Sequence, residues 1–213
     1  MIRDCVWDFD GTLIDSYPAM TSAMRAALAS FDIALSDTEI LGLLKQSLSF
    51  CETVMHARYG VDTDQLNRIF RREEQKRLSD FTLMPGVREV LHAMAGQQVR
   101  HFLLTHRDHM AWDILEREGF REMFAGGVTA EMGFARKPDP GALLHLMRTY
   151  KMRPEATVMI GDRPLDVQCG RNAGCHSALL DPEKRFEGEM CTYRLREVRE
   201  IMTLFKQRPD LLQ

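Results

Sequence analysis

Between residues 16 and 80 the chain has no clear strand, whereas short apolar strands punctuate what lies on either side of that stretch. This gap constrains the fold more than any other feature. Cys5-Val6-Trp7 forms a short buried strand that stops abruptly at Asp8 and the Gly11 turn. Pro18 then suits a first helical turn, and Met20, Met24, Ala27, Leu28 and Phe31 follow at helical spacing. Ser36-Asp37-Thr38-Glu39 is a capping box opening a second helix. A third helix is predicted from about Phe50 to Tyr59, and a long charged one from Asp62 or Thr63 through Arg77. Pro85-Gly86 breaks this pattern, and strands and helices alternate from there. Helices are predicted over Val87–Met94, His109–Glu118, Pro140–Tyr150 and Val167–Asn172. Strands are predicted over Val99–Leu104, Gly127–Thr129, Thr157–Ile160 and Ser177–Leu180. Such alternation implies α/β architecture, a doubly wound parallel sheet. The sheet is therefore expected to start at β-strand one, be interrupted by an α-helical insert, and resume. The expected division is 1–15 with 82–213 as the core, and 16–81 as the inserted helical domain. After about Asp181, Leu195, Val198, Ile201, Met202 and Phe205 suggest one final packed helix.

The 213 residues allow one ordinary domain carrying a smaller insert. With 45% hydrophobic and 28% charged residues, the chain reads as a soluble globular protein rather than a disordered one. A net charge of −3 sets up no strong field for polyanions, so no nucleic-acid partner is expected. No apolar run approaches the ~20 residues of a membrane span, and the N-terminus lacks the form of a signal peptide. The five cysteines contain no C-x-x-C pair, which argues against a disulfide framework or zinc site. Reduced thiols and a cytoplasmic location are the expectation. Oligomeric state is left open by the sequence.

In doubly wound sheets, ligands bind beyond the carboxyl ends of the strands. Asp8-Phe9-Asp10-Gly11-Thr12 follows the first strand, Thr105-His106-Arg107-Asp108 the second, and Gly161-Asp162-Arg163-Pro164-Leu165-Asp166 the Thr157–Ile160 strand. Ala135-Arg136-Lys137-Pro138-Asp139 precedes a helix. Asp8 and Asp10, two apart, face the same side of an extended chain. Close carboxylates repel unless a cation separates them or one is protonated. With Asp162 they form a set of hard oxygen donors suited to Mg²⁺. Thr105 and Lys137 supply a hydroxyl and a cation for phosphoryl oxygens. Backbone N–H groups from Phe9 to Gly11 are candidates for a further anion nest. A carboxylate nucleophile, a metal and a lysine together point to phosphoryl transfer through an aspartyl-phosphate.

These motifs, in this order and with a helical insert after the first, resemble the haloacid dehalogenase-like superfamily, in its phosphatase and phosphomutase branch. Gly170, Asn172, Ala173 and Gly174 extend the likeness, which reaches about Leu180. The resemblance implies a Rossmann-like core with an α-helical cap, and Mg²⁺-dependent hydrolysis of a small phosphate monoester. It implies that Asp8 is the nucleophile and Asp10 the general acid/base. Asp8, the main-chain carbonyl of Asp10 and Asp162 would hold Mg²⁺, with Asp166 in the metal shell, and Thr105 and Lys137 would clamp phosphate. In such enzymes the cap selects the leaving group, so Tyr17, Lys45 and Ser47, with Ser49, are specificity candidates.

A sugar-phosphate mutase of this branch carries a histidine twelve residues after the nucleophile, where this chain has Met20. It also carries an arginine in the loop that here reads Lys45-Gln46-Ser47-Leu48-Ser49. Both departures favour the phosphatase. A dehalogenase fits the Asp8-to-Thr12 pattern less well, and a catalytically dead binding protein would lack one of the residues, all of which are present. Several residues read as structural instead: Asp15 and Ser16 as a hinge cap, His106 as a satisfied, partly buried histidine, Arg163 as a structural or surface charge. The Met20–Met24–Leu28 face reads as packing and the Glu73–Arg77 run as a solvated face.

Overall fold

The computed structural model describes residues 1–95 and 98–205. The last eight positions of the expected core, 206–213, lie outside the described residues. In chain order the elements are β1 (Asp4–Trp7), β2 (Ile14–Asp15), α1 (Tyr17–Ala29), α2 (Asp37–Gln46), α3 (Leu48–Tyr59), α4 (Thr63–Gln75), β3 (Thr82–Leu83) and α5 (Val87–Met94). There follow β4 (Arg100–Leu104), α6 (Met110–Arg117), β5 (Phe124–Val128), α7 (Gly141–Thr149), β6 (Thr157–Gly161), α8 (Pro164–Asn172), β7 (His176–Leu180) and β8 (Tyr193–Leu195). The chain divides into two compact units, Met1–Ile14 with Leu83–Gln213, and Asp15–Thr82. Among the described residues no helix is long and apolar enough to cross a membrane.

The larger unit is a six-stranded sheet in the order β5-β4-β1-β6-β7-β8. Its pairings are all parallel, and helices connect the strands from β1 through β7, the doubly wound arrangement expected. β1 is buried throughout because it is central, with β4 and β6 beside it. Val6 lies level with Phe102 on one side and Met159 on the other. With Leu104, Val128, Leu143, Leu146 and Cys169 they form one packed cluster. Each such buried side chain contributes about 1.5–3 kcal/mol. The same register ends the three strands together: Trp7 is level with Leu103 and with Ile160. The residues that follow therefore emerge along one edge.

The smaller unit is helical. α1 packs on α2 and α4, and α3 on α2 and α4. Ala23, Met24, Leu28, Ile40, Leu44, Cys51, Met55, Leu66 and Phe70 fill its interior. Three of its helix starts are capped side chain to backbone. Ser36 accepts from Glu39 N at 3.2 Å, Ser47 from Phe50 N at 2.9 Å and Asp62 from Gln65 N at 2.7 Å. The Ser47 cap starts α3 at Leu48, two residues before the predicted start. Ser16 stands at the N-cap of α1 but gives no side-chain cap; its hydroxyl meets Met20 Sδ at 3.6 Å.

Three expectations are corrected. The strand predicted at Gly127–Thr129 is β5, Phe124–Val128. The short helix expected at Val167–Asn172 starts three residues earlier, at Pro164. The final helix is instead an edge strand, β8, followed by a 3₁₀ segment, Val198–Leu204. Leu195, Val198 and Ile201 recur every three residues, which matches the three-residue turn of a 3₁₀ helix as well as an α-helical face.

Candidate active site

β1 stops at Trp7 because Phe9 folds the chain back. Its carbonyl accepts from Thr12, Leu13 and Ile14 N–H groups at 3.3, 3.0 and 2.9 Å. Gly11 takes φ 73°, a left-handed conformation that glycine adopts without steric cost. Gly11 N–H donates to Ile14 O at 2.8 Å, so it is engaged inside the turn and not in the expected nest.

Asp8, the first residue past β1, is 2% exposed, and its N–H continues the ladder to Ile160 O at 2.8 Å. Lys137 reaches it from the loop before α7. The Lys137 ammonium lies 2.7 Å from Asp8 Oδ1 and 2.6 Å from Asp166 Oδ1, and donates to Leu104 O at 3.1 Å. Asp166 is fully buried in the first turn of α8, where its Oδ2 also accepts from Arg163 N at 3.2 Å. It is thus both a helix-start acid and a site acid. Gly161 makes room for it: a Cβ there would lie 2.2 Å from Asp166 Cγ.

Burial alone would push the Lys137 pKa down, but the Asp166 and Asp8 carboxylates outweigh it and hold the ammonium above its ordinary value. Burial, then the Asp8 charge, pushes Asp166 up against the opposing pull of Lys137 and Arg163. Cys5, Cys169 and Cys175 are not rival nucleophiles. Burial raises Cys5 well above its ordinary value, Cys169 to about 12 and Cys175 to about 11.

Asp8, Asp162 and Asp166 each offer a carboxylate oxygen, and the three lie within 4.8 Å of one another, all buried. Octahedral Mg²⁺ with bonds of about 2.0–2.1 Å spans ligand oxygens up to ~4.2 Å apart, so small adjustments would seat the ion. Asp8 Oδ2 is buried without a hydrogen bond. Its nearby cation is Arg163, at 3.7 Å, which also stands 3.7 Å from Asp162 Oδ1. Three carboxylates against Lys137 and Arg163 leave one formal negative charge for a cation to offset. The donor set fits Mg²⁺.

The Asp10 carboxylate is held by Arg107. Arg107 Nε donates to both of its oxygens at 2.8 Å, with Arg107 almost wholly buried. Thr105, one past β4, is buried, donates its N–H to Val128 O at 3.0 Å, and accepts Arg107 N–H on Oγ1 at 3.1 Å. His106 Nε2 accepts from Lys137 N at 2.9 Å. Burial, then the Lys137 charge, pushes His106 down to about 2, so the ring is neutral. Asp8, Lys137, Asp162 and Asp166 are thus brought together directly, with Thr105 adjoining through Leu104. Arg107 and Arg163 were not anticipated. Arg163 is corrected from a structural or surface charge to a charge beside Asp8 and Asp162, because α8 starts at Pro164 and turns it inward. In the helical unit, Lys45 Nζ sits over the Tyr17 ring at 5.1 Å from its centroid, and Ser47 Oγ bonds Ser49 Oγ at 3.0 Å.

A parallel sheet whose strand ends gather carboxylates around a buried lysine defines the class of α/β enzymes that work at the carboxyl edge of the sheet. Within that class, the chain belongs to the haloacid dehalogenase-like hydrolase family, whose model matches residues 5–180. It is a hydrolase of that family. It is 27% identical to the phosphoglycolate phosphatase of Rhodospirillum rubrum over 186 residues, covering 82% of this chain and 77% of the relative. With the phosphoglycolate phosphatase of Nitrosospira multiformis it shares 28% over 189 residues, 82% and 81% of the two chains. A hydrolase from Streptococcus pneumoniae TIGR4 superposes with a TM-score of 0.64 at 30% identity, covering 84% and 93%. A haloacid dehalogenase-like family protein from Streptococcus pneumoniae superposes at 0.80 with 18% identity over 96% and 99%, a likeness of fold.

Proposed function

We propose that this hydrolase is a Mg²⁺-dependent phosphatase of small phosphorylated metabolites, working through a phosphoryl group carried on Asp8. The observation that supports it best is the buried cluster of Asp8, Lys137, Asp162 and Asp166 beyond the strand ends. The Asp8 carboxylate attacks phosphorus and the ester oxygen departs with a proton from Asp10. Asp10 then takes a proton from water, which attacks phosphorus, breaks the acyl-phosphate bond and releases phosphate and free Asp8. Lys137 holds the transferring group's oxygens, while Thr105 offers a hydroxyl to those oxygens. Asp8, Asp162 and Asp166, with the Asp10 carbonyl, would hold Mg²⁺, which supplies charge neutralisation of the phosphoryl group.

The relatives named as phosphoglycolate phosphatases make 2-phosphoglycolate the first substrate to test. The unit Asp15–Thr82 acts as the cap in this reading, with Lys45 and Tyr17 selecting the leaving group and Ser47 fixing the start of α3 between them and Ser49. Purified protein assayed with p-nitrophenyl phosphate and 2-phosphoglycolate tests the reading. Asp8→Asn is expected to lose at least roughly a thousandfold in turnover with the fold retained, and EDTA to silence the wild type until Mg²⁺ is restored. Substantial turnover by Asp8→Asn, or by the chelated wild type, refutes it.

A further inference from the structure

Arg107 has no part in the chemistry just described, yet it is buried and spends its Nε on both oxygens of Asp10 at 2.8 Å. Its backbone is fixed on two sides: its N–H donates to Thr105 Oγ1 at 3.1 Å, and its carbonyl accepts from Ala130 N at 2.8 Å. The guanidinium therefore projects from an anchored point at the end of β4 towards the turn after β1. Asp10 lies in the turn closed by the Phe9 carbonyl, and its side chain is 17% exposed. A buried guanidinium is a preorganised donor that restricts a carboxylate at lower entropic cost than a flexible ammonium.

We propose that Arg107 is a positioning residue for Asp10: it holds the carboxylate where it delivers a proton to the departing ester oxygen. The inference rests on the phosphatase reading above. It differs from a merely structural ion pair in what it predicts about leaving groups. A nitrophenolate departs as a stabilised anion and asks little of a general acid, whereas an alkoxide must be protonated as it leaves. The term kcat/KM covers events through departure of the alcohol, so it isolates this step from the later attack by water.

The experiment compares wild type, Arg107→Gln and Arg107→Lys, with Mg²⁺, on p-nitrophenyl phosphate and on two alkyl esters, 2-phosphoglycolate and β-glycerophosphate. For Arg107→Gln, kcat/KM is expected to fall about a hundredfold on the better alkyl ester and tenfold or less on p-nitrophenyl phosphate, within the range of one general acid. Arg107→Lys is expected to recover part of the alkyl loss, since it restores the charge without the guanidinium's geometry. Adding Arg107→Gln to Asp10→Asn should cost less than threefold further on p-nitrophenyl phosphate, because the residue acts through Asp10. Equal losses on both ester types, no loss, or full additivity in the double variant overturns the inference. If Arg107→Gln does not fold, the Arg107→Lys substrate ratio decides alone: an unchanged ratio overturns it. A wild type inactive on all three esters instead overturns the phosphatase reading.

Discussion

Replacing Lys137 by methionine keeps the length of the side chain and removes its charge from between two buried carboxylates, 2.7 and 2.6 Å away. Removing one partner of a buried pair typically costs about 3–5 kcal/mol. The structure permits a sharper figure. Arg163 stands 3.7 Å from Asp8, so Asp8 retains a cation, and Asp166, already pushed up by burial, is the group that takes a proton. Keeping a carboxyl of ordinary pKa near 3.9 protonated at pH 7 costs about 4 kcal/mol, and at pH 5.5 about 2 kcal/mol. The sign follows from proton counting. The folded variant holds a proton that the unfolded chain releases, so its stability relative to wild type falls as pH rises. Both tryptophans, Trp7 and Trp112, lie in the unit that contains the site, so their fluorescence during urea unfolding follows that unit. Measured in EDTA, Lys137→Met is expected to lose about 4 kcal/mol at pH 7 and about half of that at pH 5.5. Mg²⁺ should restore part of it by binding the folded state. A difference from wild type below about 1 kcal/mol, or one independent of pH, refutes the reasoning.

Gly161→Ala would set a Cβ 2.2 Å from Asp166 Cγ, so Asp166 must move; we expect a loss of about 1–3 kcal/mol in melting experiments and a higher Mg²⁺ requirement for activity. His101 accepts from Trp7 Nε1 at 3.1 Å, and burial pushes it down to about 4. Its unfolded value is near 6.5, so the unfolded chain binds more protons between those values. Stability should be lost as pH falls through that window, by up to about 3 kcal/mol, and an NMR titration midpoint for His101 above pH 6 would contradict this. Lys45→Ala is expected to raise KM for anionic substrates and reorder a phosphometabolite panel, while changing p-nitrophenyl phosphate turnover little; an unchanged order and KM would exclude Lys45 from specificity.

The sheet was legible because a central parallel strand is apolar from end to end, as Cys5-Val6-Trp7 is, and because polar residues begin where such a strand stops. Asp8, Lys137 and Asp162 stood out for the same reason: each is a charged group beside an apolar strand or a Pro-marked loop. Arg107 and Arg163 did not, since an arginine in a loop points wherever the loop turns it, and both loops are shaped by contacts distant in sequence. The available signal was adjacency, Arg107 two past Thr105 and Arg163 next to Asp162. Strand β8 escaped because it is three residues long with Arg194 exposed, and because Leu195, Val198 and Ile201 share a spacing that two helix types can satisfy.

Met84 N donates to Leu13 O at 2.9 Å, and both residues belong to the unit built on the sheet. The points where the chain leaves that unit and returns to it are therefore stitched together by the unit itself. Closing a flexible loop costs more only as the logarithm of its length, about 0.6 kcal/mol for each doubling. The sheet is consequently almost indifferent to how much polypeptide hangs from this joint, provided the polypeptide folds by itself. The 68 residues from Asp15 to Thr82 carry their own apolar interior and their own helix caps. A joint closed in this way lets the insert vary in length at little cost to the sheet.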